Sequence, residues 1–455
     1  TMGSVHSNGP MDAASIRKCF DPSMNFRSGR GKLMKQGSKD QEVWGCDALA
    51  TYCILGGQPE RISAGQKALA DVRAAAAAGD TCNHRLDRSL GCVIGNTVGD
   101  ALGAPLEFSA VRYGSSELKG LCHEEIWTKT GYNSFSLKPG QWTDDDSMAL
   151  CIMDSLLVCD GFDGCDLRQR FRAWLQYGYN NAFGRDPART SKNSVGLGGN
   201  ISESMGEWCE SGKPMTEAGD QFTSGNGSVM RNGAIPVWFR NDLEGGLEAA
   251  YKQSRTTHRG EEAAELCRLL TYLCTKFING AGRDLLEDLS EFTSPLYTVS
   301  CLAAAKAEEA HHHNSDPVFG GLERRVWDWK SSNHRYCEFR ARENPGYIGS
   351  YAMDNVSMAL HCLYTTTTFT DATLKAANLR GDSDSVCAVV GQLAGALYGA
   401  SAIPHEWIDQ VQTWDGGTIL ARAVMLHDHE ALPYSESVSD GSCASASLLS
   451  EPSQL

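Results

Sequence analysis

No apolar run in the 455-residue chain approaches the roughly 18 residues that cross a bilayer, so a membrane partner is not expected. Positive charge is also in deficit: 41 Lys and Arg stand against 56 Asp and Glu, a formal net charge of −15. Without a broad positive field the chain is a poor match for phosphate backbones, which disfavours nucleic acid as a partner. There are 17 Cys, an odd number that cannot all pair, and no two are three apart, which removes the CxxC of zinc and dithiol sites. Several, such as Cys151, Cys267 and Cys387, fall among apolar helical neighbours, the usage expected of a reducing, intracellular, cytoplasmic protein. The opening Thr1-Met2-Gly3-Ser4 lacks the basic and apolar segments of a secretion signal. P-loop, HExxH and GxSxG signatures are missing, which removes the commonest nucleotide-triphosphatase, zinc-protease and serine-hydrolase chemistries. Strand-like alternation is sparse, and no solenoid period repeats.

What is present is helical. Hydrophobic residues recur at three and four: Met148, Ile152 and Leu156 form one stripe, and Val386, Val390, Leu393 and Leu397 another. Small residues at Gly95, Gly99 and Gly103, and at Gly391, Ala394, Gly395, Ala396 and Gly399, would let neighbouring helices approach closely. The expected fold is all-α and compact. Its expected parts are an N-terminal extension over 1–85, a catalytic core over 86–430 and a disordered Ser-rich tail over 431–455. Within the extension, residues up to about 39 read as a flexible lead-in. Leu49, Tyr52 and Cys53 can share a helix face, Pro59 interrupts, and the alanine-rich stretch Ala64–Ala78 is helical by default. Three roles are open to this extension: covering a cleft, docking a partner protein, or padding the core.

Two acidic groups carry the chemistry. Thr143-Asp144-Asp145-Asp146 precedes the Met148 stripe, and Arg380-Gly381-Asp382-Ser383-Asp384-Ser385 precedes the Val386 stripe, so each sits at a helix start. The helix dipole relieves part of the repulsion among such carboxylates and a cation would relieve more; alone, either run is equally a solvated cap. Taken together, Thr143, Asp144, Asp145, Asp382, Asp384 and Ser385 offer six oxygen donors and no His or Cys, which selects Mg²⁺, with Mn²⁺ the alternative, over zinc. Two ions sharing one Asp about 3.5–4 Å apart suit this many carboxylates.

The segments GDALGAPLEF (99–108), WTDDDSM (142–148), GNGSVMRNGAIP (225–236) and GDSDSVCAVVGQLAGALYG (381–399), in this order, resemble those of the ADP-ribosylglycohydrolase family. The resemblance implies an all-α fold with a dinuclear Mg²⁺ centre that cleaves the bond between the distal ribose of ADP-ribose and an acceptor, with an ADP-ribosylated protein as partner. It implies that Thr143, Asp144 and Asp145 form one metal-binding triplet and Asp382, Asp384 and Ser385 the other, with Asp384 bridging. It places Glu107 where some members carry a catalytic or gating glutamate, and makes Asp144 and Asp145 further candidates for activating water. Ser224, Gly225, Asn226 and Gly227 resemble the loop that receives the diphosphate and ribose, and His258 follows a recurrent Thr-His dipeptide near the nucleotide. The Asp-Ser-Asp-Ser form of the second motif resembles the arginine-directed hydrolases. Serine-linked or O-acetyl-ADP-ribose and a non-catalytic ADP-ribose binder are the alternatives.

Three departures from the family pattern carry expectations. Asp146 stands where Thr is usual, and its charge needs solvent, a cation or a hydrogen-bond donor. Arg380 replaces a Gly and could screen the acids. A further carboxylate supplied by some members is missing from Ser194–Asn200, for which Asp186 is a candidate substitute. His311-His312-His313 reads as a solvated patch, and Thr365–Thr368 as a loop between helices.

Overall fold

The protein is described by a computed structural model covering Leu55 and residues 58–309, 325–335 and 342–432. The flexible lead-in, the face formed by Leu49, Tyr52 and Cys53, His311–His313 and the chain beyond 432 lie outside the described residues. Twelve helices of eleven residues or more occur among them. They are α1 (Pro59–Ala77), α2 (His84–Gly103), α3 (Asp144–Cys159), α4 (Gly164–Tyr177), α5 (Gly199–Ser211), α6 (Leu243–Arg255), α7 (Glu261–Ile278), α8 (Ala352–Tyr364), α9 (Phe369–Leu379), α10 (Ser383–Tyr398), α11 (His405–Asp415) and α12 (Thr418–Asp428). The described residues contain no strand, only isolated bridges, so the all-α expectation holds. None of their helices is long and apolar enough to cross a membrane. Thr365–Thr368 is the loop between α8 and α9.

The centre of the molecule is an antiparallel pair, α2 against α10. A Cβ placed on Gly91, Gly95, Gly99 or Gly103 would lie 2.3, 2.2, 2.1 or 2.3 Å from the carbonyl oxygen of Gly395, Gly391, Cys387 or Ser383 respectively. The small-residue spacing of four thus runs in register along both helices, and backbone touches backbone. The two apolar stripes read from the sequence are buried around this contact: Met148, Ile152 and Leu156 on α3, and Val386, Val390, Leu393 and Leu397 on α10. One consequence is positional. The last close contact, Gly103 on Ser383, sets the exit of α2 beside the entry of α10.

α1 is used in packing. Gly65 lies against the backbone of Ala421 on α12, Arg73 donates to the Ile403 carbonyl, and Arg61 pairs with Glu430. Pro59 does not interrupt this helix but opens it, because a first-turn residue needs no N–H partner within the helix. Of the three roles open to the extension, its described helix pads the core.

A candidate metal centre at two helix starts

Asp382 and Asp384 enter α10 through a constrained turn. Arg380 and Gly381 both have positive φ (65° and 69°), and a Cβ on Gly381 would lie 2.4 Å from the Ile348 oxygen, so the turn requires glycine there. The same turn is stitched to the segment carrying Glu107: Phe108 N–H donates to Gly381 O at 2.8 Å, and Gly381 N–H to Ser109 O at 2.9 Å. Glu107 is therefore delivered to the start of α10 by the α2–α10 contact and by this bridge. A second bridge, Gly225 with Tyr351, brings the glycine loop alongside.

The start of α3 is held by Asp100, a buried carboxylate of α2. It accepts from Thr143 N–H, from Asp146 N–H (2.9 Å) and from the Thr143 hydroxyl (3.0 Å). Thr143 Oγ1 lies 3.2 Å from Asp145 Oδ2 and 3.3 Å from Asp384 Oδ2, which joins the two acidic runs across the chain. Donating to Asp100 uses the single Thr143 hydroxyl proton and leaves oxygen lone pairs toward the other two acids. One carboxylate oxygen each from Glu107, Asp382 and Asp384 lies within 4.8 Å of the others. Asn226 Nδ2 (3.1 Å) and Ser350 Oγ (2.5 Å) donate to Asp382 and fix its orientation.

These carboxylates cannot all be charged and left alone. At 4.8 Å two unit charges repel by roughly 3–4 kcal/mol even at an effective dielectric constant of about 20. Burial, and then mutual repulsion, pushes Asp100, Glu107, Asp144, Asp145 and Asp384 well above the usual carboxylate range. Three buried carboxylate oxygens, Glu107 Oε2, Asp145 Oδ1 and Asp146 Oδ2, have no hydrogen-bond partner. An all-oxygen donor set with orphaned anionic oxygens fits a hard divalent cation.

A cavity of about 610 Å³ opens over the acids. Asp144, Asp145, Ser385 and the Glu107–Asp382–Asp384 trio form its acidic wall. Gly225, Asn226, Gly227 and His258 line it elsewhere, with Phe108, Phe135 and Tyr347 contributing aromatic surface. The Ser194–Asn200 stretch, which lacks the extra carboxylate, contributes glycines: at Gly196 (φ +87°) a Cβ would fall 1.7 Å from Asp144 Oδ1, so the loop lies directly on that acid.

Three sequence expectations need correcting. Ser224 does not line the cavity; its hydroxyl accepts from Ala263 N–H in the first turn of α7 (3.3 Å). Arg380 does not screen the acids, because its left-handed backbone turns the side chain to Glu117 at 2.7 Å. Asp186 is no substitute ligand: Lys138 (2.7 Å) and Gln141 (2.9 Å) bind both its oxygens and, against the effect of burial, hold it below the usual range. The expectation for Asp146 is met: it faces α2 and finds donors, Thr97 Oγ1 at 2.8 Å and Asn96 Nδ2 at 3.2 Å, while burial raises it to about 7. Asp100 and Ser350 were missed. Asp100 stands inside the GDALGAPLEF segment, but nothing in its local pattern separates a carboxylate that clamps another helix from a surface one.

The family model described as ADP-ribosylglycohydrolase matches residues 81–435. The ADP-ribosylarginine hydrolase Tri1 of Pseudomonas putida (strain GB-1) is 29% identical over 331 residues, 73% of this chain and 76% of the relative. The ADP-ribosyl-[dinitrogen reductase] glycohydrolase of Rhodospirillum rubrum is 27% identical over 335 residues, 71% of this chain and 90% of the relative. A solved structure titled "ADP-ribosylglycohydrolase-related protein complex" superposes with a TM-score of 0.56 at 28% identity, covering 76% of this chain and 99% of its own.

Proposed function

The chain belongs to the ADP-ribosylglycohydrolase family, enzymes that hydrolyse glycosidic bonds, and on that footing we propose that it removes ADP-ribose from arginine side chains of modified proteins, with Mg²⁺ at the acidic centre. The observation that carries this reading is the meeting of Glu107, Asp382 and Asp384 within 4.8 Å in the wall of a cavity large enough for a nucleotide-sized ligand. Two Mg²⁺, with Mn²⁺ as the alternative, would be held by Thr143, Asp144, Asp145, Asp382, Asp384 and Ser385. Bound there, the cations supply positive charge that polarises ribose hydroxyls and acidifies water.

The remaining work falls to the chain itself. Gly225 and Gly227 let backbone approach the diphosphate closely, and Asn226 keeps Asp382 turned to the cluster. Glu107 takes a proton from the water that attacks the anomeric carbon; the bond from that carbon to the guanidino nitrogen breaks, and the departing nitrogen regains a proton. Asp144 and Asp145 are the other carboxylates placed on the cavity wall. Arginine as acceptor is supported by the name of the Pseudomonas putida relative and by the serine at 385.

The test is ADP-ribose release from arginine-linked and serine-linked ADP-ribosylated proteins, each with Mg²⁺ and with EDTA. Release from the arginine adduct only, and only with the metal, is expected. Release from the serine adduct alone overturns the acceptor, and tight ADP-ribose binding without turnover on either overturns the catalytic reading.

A further inference from the structure

His258 reaches the cavity beneath the glycine loop. Its Nε2 would stand 3.4 Å from a Cβ at Gly225 and 3.2 Å from one at Gly227, so the two glycines leave room for that edge of the ring. The opposite nitrogen, Nδ1, is 2.8 Å from the hydroxyl of the preceding Thr257. This hydroxyl is in turn 2.7 Å from Arg231 Nη2. Arg231 is wholly buried, lies over the Phe171 ring at 4.4 Å, and is anchored by its Nε to Gln253 Oε1 and by its Nη2 to the Gln253 carbonyl, each at 3.1 Å.

The direction of each bond in this chain follows from which groups can only donate. A guanidinium has donors and no acceptor, so Thr257 Oγ1 accepts from Arg231. The hydroxyl has a single proton, and the acceptor beside it is His258 Nδ1. If Nδ1 carried a proton instead, Thr257 would face two donors and its own proton would have no acceptor among the contacts of this buried cluster. The ring proton therefore belongs on Nε2, the nitrogen beside the glycine loop.

We propose that Arg231, acting through the Thr257 hydroxyl, fixes His258 as the Nε2–H tautomer, so that the ring donates a hydrogen bond to a phosphate or ribose oxygen of the bound nucleotide. Arg231 and Thr257 are then positioning residues for substrate, one and two steps behind the wall of the cavity. Burial and the charge of Arg231 push the imidazole down to about 3, so the ring remains a single-proton donor near neutrality. The ligand half of this assignment rests on the ADP-ribosyl reading of the cavity; the tautomer half does not.

The test compares the wild type with Thr257→Ser, which keeps the hydroxyl, and Thr257→Val, which removes it. Tautomers are read from ¹⁵N spectra of histidine-labelled protein, with His258 assigned by its loss in His258→Gln, and ADP-ribose affinity is read by calorimetry. The wild type and T257S should show His258 protonated on Nε2 only and should bind ADP-ribose within about twofold of each other. T257V should lose that single-tautomer pattern and bind roughly tenfold more weakly, with KM rising more than kcat falls. Protonation on Nδ1 in the wild type, or an unchanged tautomer and affinity in T257V, overturns the relay. An intact relay in a wild type that does not bind ADP-ribose overturns the ligand assignment and leaves the tautomer assignment standing.

Discussion

Gly95 on α2 and Gly391 on α10 face each other so closely that a Cβ on the first would lie 2.2 Å from the carbonyl oxygen of the second, and a Cβ on the second 1.8 Å from that of the first. Backbone cannot step aside as a flexible side chain can. Gly95→Ala should therefore destabilise the protein by about 1–3 kcal/mol or more. It should also weaken divalent-cation binding, since the same helix pair sets Glu107 beside Asp384. Gly206→Ala on α5, where a Cβ meets nothing within 4 Å, is the control and should be neutral or slightly stabilising. Thermal melts with and without Mg²⁺ read both effects, and a G95A protein as stable as G206A would refute the close crossing.

Asp384 sits among like charges, so its removal should have opposite effects in the two states. In EDTA, Asp384→Asn should melt a few degrees above the wild type, because one repelling carboxylate is gone. In Mg²⁺ the order should reverse, since only the wild type gains from ligand binding. Turnover should fall at least about a thousandfold. An Asp384→Asn protein that Mg²⁺ still stabilises as it does the wild type would exclude this residue from the centre.

Glu107→Gln separates proton transfer from ligation. Its Oε2 lacks a partner, and one of its oxygens lies within 4.8 Å of one on Asp384. Glutamine preserves the shape but cannot take a proton, so kcat should drop by about 10²–10⁴ with Mg²⁺ affinity reduced far less than in Asp384→Asn. Equal losses in both quantities would assign Glu107 to the metal alone.

Asp146 gives the pH dependence a definite sign. Its pKa in the folded protein, about 7, lies above its ordinary 3.8, so between those values the folded chain holds a proton that the unfolded chain has released. The stabilisation is complete below about pH 4 and is lost as pH rises through 7, with a limiting slope of about 1.4 kcal/mol per pH unit. Asn at this position does not titrate. In EDTA, the stability of Asp146→Asn relative to wild type should climb from pH 4 to pH 8, as followed by urea unfolding. A flat difference would mean that Asp146 is ionised throughout.

Much of the fold and of the acidic centre could be read from the sequence, because both are written in local patterns. The repeats Met148-Ile152-Leu156 and Val386-Val390-Leu393-Leu397 specify buried helix faces, and the small residues at Gly95, Gly99, Gly391 and Gly395 specify the close pair. Asp144, Asp145, Asp382 and Asp384 were visible as carboxylates that needed a reason to crowd. What stayed hidden was which distant group each polar side chain meets. Arg380 lies next in sequence to the second acidic run, yet one left-handed residue aims it at Glu117. Ser224 belongs to the glycine loop but serves the first turn of α7. The roles of Asp100 and Ser350 are not written in their own segments, because their partners, Thr143 and Asp382, are set only by the packing of whole helices.

The central claim is that the α3 and α10 acids, with Glu107, form a single cation-binding centre. Anomalous diffraction from crystals grown with Mn²⁺ tests it most directly. Density is expected within coordination distance of Asp384, with Asp382 and the Thr143–Asp145 run completing the shell, and is expected to vanish in Asp384→Asn crystals. Manganese bound elsewhere in the chain, with the Asp384 carboxylate free of metal, would contradict the account.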